Sequence, residues 1–273
     1  MESAARRLHR LVEPVHLVTY FCEEPTDALM ALGHRNYWDG YFAGRAAPLG
    51  RAPAEVVHAI FYNFADGEVA RHIPRVWDTA TPEQALAARE RGSVAALRRI
   101  LGHLADVPGL PRAAELATKA ATSPSTEGRA LYAGLRALPI PEEPVARLWH
   151  AATLLREHRG DGHIAALVAE GIGGTEAHVL HALSQGMPAE KFGRVHHLPA
   201  AQLAAVVDGM RARGLIGADG WLTEAGREKK ERIESITDDL AAPAYENLTP
   251  SELDHLIADL EPISAVLEAA SPL

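Results

Sequence analysis

Apolar residues recur at helical spacing along most of the chain. Leu8, Leu11, Val12, Val15 and Val18 place one apolar face on a helix over Ser3–Tyr20, with a kink or break predicted at Pro14. A second helical stretch is predicted over Pro25–Gly44. A third runs from Pro53 to about Phe64, with proline at the favoured first position. Thr81-Pro82-Glu83-Gln84 spells a capping box and starts a helix to about Leu104. Six prolines from Pro108 to Pro144 break the next stretch into short helices and loops. They mark the predicted boundary between an N-terminal helical domain (1–144) and a C-terminal domain (145–273).

Val145, Leu148, Trp149, Ala152 and Leu155 carry a helix over Pro144–His158. Arg159-Gly160-Asp161-Gly162 is predicted to end it, with Gly160 as the left-handed cap and Asp161 capping the next helix. Further helices are predicted at Thr175–Leu183, Pro188–Gly193 and Pro199–Gly214. Leu215-Ile216 and Trp221-Leu222 flank a tight Ala218-Asp219-Gly220 turn and predict one short β-hairpin. Thr223 caps a helix to about Leu240, and Thr249-Pro250-Ser251-Glu252 is a second capping box. The last helix shows an apolar stripe, Leu253, Leu256, Ile257, Leu260, Ile263 and Leu267. It packs within the chain or forms the seam of a homodimer. The expected fold is all-α, mainly helical, with a C-terminal winged helix-turn-helix carrying one short β-hairpin.

Composition narrows the class. With 47% hydrophobic and 23% charged residues, the chain can bury a real core. A net charge of −9 argues against a dedicated nucleic-acid binder. A single cysteine, Cys22, rules out an intrachain disulfide and a thiolate metal cage within one chain. The N-terminus lacks a signal-peptide core, and no apolar run is long enough for a membrane span, so a cytoplasmic protein is expected. Fourteen histidines would permit pH sensing. Gly171-Ile172-Gly173-Gly174 lacks the Lys-Ser/Thr of a phosphate loop, and no nucleophile elbow is present.

Two polar groups carry candidate chemistry. His150, Glu157 and His158 sit at i, i+7 and i+8 on one helix face, and a Gly-Asp-Gly turn would fold His163 back towards His158. They suit general acid–base work or contact with a ligand, or could hold a divalent metal, or simply form a solvated helix end. Their spacing matches no specific metal motif, and neither a tightly bound metal nor a cofactor is predicted. The second group, with Glu13 and Asn63 among the same apolar neighbours, is a set of i, i+4 pairs in apolar helices: His16 with Tyr20, Tyr41 with Arg45, and His58 with Tyr62. Three such pairs suggest polar fixtures in an apolar pocket for a small organic ligand, with Trp38 and Trp77 as candidate walls. Arg45 or Arg156 would anchor an anionic group. The alternative is buried His and Tyr satisfied locally.

The stretch Gln202–Gly226, QLAAVVDGMRARGLIGADGWLTEAG, resembles the MarR family over roughly residues 165 to 240. Glu13-Pro14-Val15-His16, the run Gly40 to Arg45 and the run Trp149 to His163 also resemble an actinobacterial family known only as helix-turn-helix or MarR-like. The MarR resemblance implies a dimeric, ligand-responsive regulator with a recognition helix in the major groove and a basic wing. Gln202, Arg211 and Arg213 would be the DNA contacts. The rest of the exposed helix face is Ala205, Asp208, Gly209 and Ala212, residue types that read bases poorly. The wing tip has no Arg or Lys, and residues 188–230 carry seven basic against five acidic side chains, a net +2. His196 and His197 would add charge only at lower pH. The leading expectation is therefore a small-molecule-binding protein on a degenerate winged-helix scaffold, either a sensor or an acid–base enzyme. A DNA-binding regulator is the alternative.

Overall fold

A computed structural model describes residues 3–191 and 198–270. Gly193, Arg194, His196 and His197 lie outside the described residues. Among those described, the protein is all-α, and no helix is long and apolar enough to cross a membrane.

The first helix, α1 (Ala4–Phe21), is capped by Ser3, whose side chain accepts from the Arg6 amide at 3.1 Å. It runs through Pro14 without the predicted break, because Leu8 and Val12 before the proline and Val15 and Val18 after it are all anchored in the core. The expected helix over Pro25–Gly44 is two, α2 (Glu23–Met30) and α3 (Tyr37–Ala46). Gly33, at φ 100°, turns the chain out of α2, and Asn36 caps α3 by accepting from the Asp39 amide. Helix α4 (Ala54–Phe61) stops at Tyr62, the one described non-glycine residue with positive φ. The Thr81 capping box is formed in both directions and opens α5 (Pro82–Leu101). The proline-rich segment holds α6 (Gly109–Ala121) and α7 (Ala130–Arg136), short elements as expected.

Helix α8 (Pro144–Ala169) is the central strut, packing against α1, α5, α6, α7 and α11 (Glu224–Ala241). The predicted break at Gly160-Asp161-Gly162 does not occur. These residues are small or capping because neighbours approach there. A Cβ on Gly162 would sit 2.9 Å from the Arg129 guanidinium and 3.2 Å from Leu240. Asp161 caps another helix altogether, α7, by accepting from the Tyr132 amide at 3.0 Å. Arg129 ties α8 to α11 through the carbonyls of His158 and Leu240.

The stretch expected to hold the helix-turn-helix unit forms α9 (Gly174–Ser184), α10 (Ala200–Ala212) and α11, with a small core of its own around Leu180, Met210, Ile216 and Ile233. In place of the predicted hairpin there is one antiparallel bridge, Ile216 to Leu222, around a turn with Gly220 at φ 83°. Arms of two residues are too short to build a ladder. The second capping box, Thr249 with Glu252, opens α12 (Pro250–Ala270). Its stripe packs on α1 and α6, leaving Leu256, Leu260 and Ile263 at most 1% exposed. That burial removes the stripe as an open dimer seam.

The unit is clamped to the helical body at Tyr62. The Tyr62 hydroxyl donates to the Ile172 carbonyl at 2.6 Å, and a Cβ on Gly174 would stand 2.1 Å from the Tyr62 carbonyl oxygen. Because that obstruction is backbone, Gly174→Ala should force the two apart and cost about 1–3 kcal/mol in urea unfolding. A change of under 0.5 kcal/mol would mean that the clamp yields freely.

Candidate functional site

Burial and charge meet where α1, α3, α5 and α8 converge. His16, fully buried on α1, shares a hydrogen bond of 3.0 Å from Nδ1 to Thr153 Oγ1, and its Nε2 has no partner. One turn on, the Tyr20 ring packs edge-on against it at 5.2 Å and lies 5.2 Å from the Tyr41 ring. On α3, Arg45 donates to the Tyr41 hydroxyl at 2.8 Å. Two of the three predicted i, i+4 pairs therefore converge. From α8, Glu157 accepts from Arg156 at 2.7 Å and lies 3.8 Å from Arg45, while Arg156 also reaches Glu13 at 3.3 Å.

Electrostatics follows from this crowding. Burial pushes the Glu157 carboxyl up, but Arg156, Arg45 and Arg89 outweigh it and hold the pKa below the usual value. Burial works against the charge on Arg45, and Tyr41 and Glu157 more than offset it. His16 is driven well below the ordinary imidazole value by burial and then by Arg156, Arg89 and Arg45, which leaves it neutral.

This cluster forms one wall of a cleft of about 830 Å³ between the helical body and the helix-turn-helix unit. Arg45, Glu13, Arg156, Glu157 and His163 line it from the body and α8. Phe61 and Asn63 line it from the end of α4, and His178, His181 and Glu234 from α9 and α11. Its volume lies within the range of small-molecule sites. Several buried polar atoms on its walls lack a hydrogen-bond partner: Glu13 Oε2, Arg45 Nε, Asn63 Oδ1 and Arg159 Nε.

The histidines expected to act with Glu157 are dispersed. Because α8 continues as a helix, His158 and His163 are five residues apart on different faces. His158 packs edge-on against Tyr132 at 5.0 Å, whereas His163 shares a hydrogen bond of 2.9 Å from Nδ1 to Thr237 Oγ1 and faces the cleft. His150 is buried beside Arg89 and Arg136, with Nε2 unpartnered. Burial is the main cause that lowers all three to about 4. The third pair stays outside the cluster. Val57 and Phe61 are the core-facing residues of α4, so His58 turns to the Phe64 carbonyl and Tyr62 to Ile172. Trp38 packs on Tyr41 at 5.4 Å, and Trp77 is buried in the main core. Among the described residues, no three His, Cys, Asp or Glu side chains stand where they could hold a metal ion.

Sequence reasoning singled out Glu13 and Asn63 and missed Arg89 and Glu234. For Arg89 a signal existed: it stands on the same small-residue face as Ala85, Gly92 and Ala96, where a solvated arginine has no place.

On α10, Gln202 is exposed and Arg211 pairs with Asp208. Arg213 is held by the Gly171 carbonyl and Glu176.

The all-helical body carries a three-helix unit with a small core of its own. The chain belongs to a family described as "Helix-turn-helix family", which matches residues 5–273. No curated protein and no solved structure matches the chain.

Proposed function

We propose that this chain is a small-molecule-binding member of the helix-turn-helix family, with its ligand in the cleft between α1, α8, α9 and α11. One observation carries the reading: a cleft of ligand size whose buried walls hold unpartnered donors, at Arg45 and Arg159, beside unpartnered acceptors, at Glu13 and Asn63. Buried polar atoms are ordinarily paired. A polar organic molecule bearing both donors and acceptors would pair these. Recognition is favoured over acid–base turnover. Glu157 is held as a carboxylate and His163, at about 4, as a neutral ring, so neither changes state near neutral pH, where a catalytic pair works best. A ligand bridging α8 to α9 and α11 would also set the orientation of the helix-turn-helix unit, which suits a sensor.

Thermal-shift screening of a metabolite library tests this. At least one polar compound should raise the melting temperature saturably in the wild type and not in Ala177→Trp, whose indole would project into the cleft. A screen whose every hit survives Ala177→Trp would contradict the site.

Family membership and the MarR-like stretch Gln202–Gly226 support a second reading, a DNA-binding regulator. Against it stand the pairing of Arg211 and Arg213 within the chain and the lack of basic residues at the turn between Ile216 and Leu222. Gel shift against the upstream region of its own gene separates the two. The second reading requires salt-sensitive binding that Arg211→Ala weakens.

A further inference from the structure

We propose that a second, smaller void, a partly open pocket between α1, α2, α3 and α5, is a binding site for a compact monoanion, gripped by Arg89. Arg89 is 2% exposed and is the largest fully buried side chain. Its sole hydrogen bond runs from Nη1 to the Gly44 carbonyl, at 3.5 Å, and its Nε and Nη2 have no partner. No ion pair reaches it among the described residues. The Trp149 ring lies 5.5 Å from the guanidinium and offers its face, but no anion among the described residues balances the charge; a guanidinium cannot shed that charge by deprotonation, and a buried charge without a counter-ion is strongly destabilising. The buried carboxylate of the cluster, Glu157, is already shared between Arg156 and Arg45.

The void lies where these unpaired groups meet. It is lined by Arg89, Arg45, Tyr20 and Tyr41 together with Gly40 and Gly44, and its volume is about 20 Å³. The Tyr20 hydroxyl and Arg45 Nε, both buried, are also without partners. The lining therefore offers donors and excess positive charge, in space for little more than one ordered water. Water would satisfy the donors and leave the charge. A halide, or the carboxylate head of a small acid, satisfies both, and a guanidinium fork beside a phenol suits a carboxylate in particular. A tetrahedral dianion is too large. The site overlaps the cleft only at Arg45, which lines both; Arg89 and Tyr20, the groups the test addresses, line the void alone.

The test is thermal melting of the full chain at constant ionic strength, replacing sodium sulfate with sodium bromide, formate, acetate or propionate. Sulfate stabilises proteins generally, so non-specific replacement lowers the melting temperature. An occupied site instead raises it, saturably, by roughly 5 °C at a hundredfold excess over Kd. Formate and acetate outperforming bromide identifies the head of an organic acid, and bromide matching them identifies an inorganic anion. Arg89→Met should abolish the rise and melt higher than the anion-free wild type. Tyr20→Phe, which keeps the ring packing, should weaken the anion about tenfold and tests the site even if the Arg89 variant misfolds. No saturable rise in the wild type, or a rise that Tyr20→Phe leaves unchanged, overturns the proposal. The cleft reading fails separately, through insensitivity to Ala177→Trp.

Discussion

Acidification from pH 6.5 to 4.5 is expected to destabilise the protein by about 5 kcal/mol. His150, His158 and His163 each titrate near 4 in the folded chain, against about 6.5 when unfolded. Between those values the unfolded state binds more protons, so their contribution to stability is complete above pH 6.5 and is lost as pH falls towards 4. Asp161 opposes this. Burial raises it to about 6, so the folded state takes up a proton there that the unfolded carboxylate does not. It offsets one of the three histidines. The net excess is about two protons, a slope of about 3 kcal/mol per pH unit near pH 5. His16, also lowered, steepens it. At that slope, a typical stability of roughly 5–15 kcal/mol is exhausted within a few pH units. Urea unfolding at intervals from pH 7.5 to 4.5 measures the slope. Stability flat across pH 6.5–5 would show that these imidazoles are not buried neutral.

Removal of one carboxylate has the second large effect. Glu157 is 2% exposed and serves both Arg156 and Arg45. Glu157→Leu leaves two guanidiniums facing an apolar side chain, and breaking a buried pair from one side costs about 3–5 kcal/mol. Adding Arg45→Met should recover part of the loss, because one of the stranded charges goes with it. A double-mutant cycle in urea reads that coupling. A single variant within 1 kcal/mol of wild type would mean that the charges reach water by another route.

The contrast between what was legible and what was not has a physical cause. Local chemistry was legible: the capping boxes at Thr81 and Thr249 need only residues within one turn, and both form. His16 with Tyr20 and Tyr41 with Arg45 were legible for the same reason, since helical spacing alone puts each pair on one face. Glycines misled, because a glycine that permits a turn and one that permits close packing look alike. Gly160 and Gly162 read as a helix stop. They lie instead inside α8, where Arg129 and Leu240 press against Gly162. That misreading also brought His163 to His158 when the continuous helix separates them. Arg89 comes from α5, far in sequence from α8, and only tertiary packing puts it at the void.

The central claim is that the cleft beside Glu157 and His163 takes a small polar ligand. Two-dimensional amide NMR of the full chain, titrated with a compound selected by the Ala177→Trp comparison, tests it most directly. The account predicts shifts concentrated at Asn63, Gly160, His163, Ala177 and His181, which border the cleft from both sides. Shifts confined to α10, or to the groove formed by Pro14, Phe21 and Leu267 between α1 and α12, would contradict it.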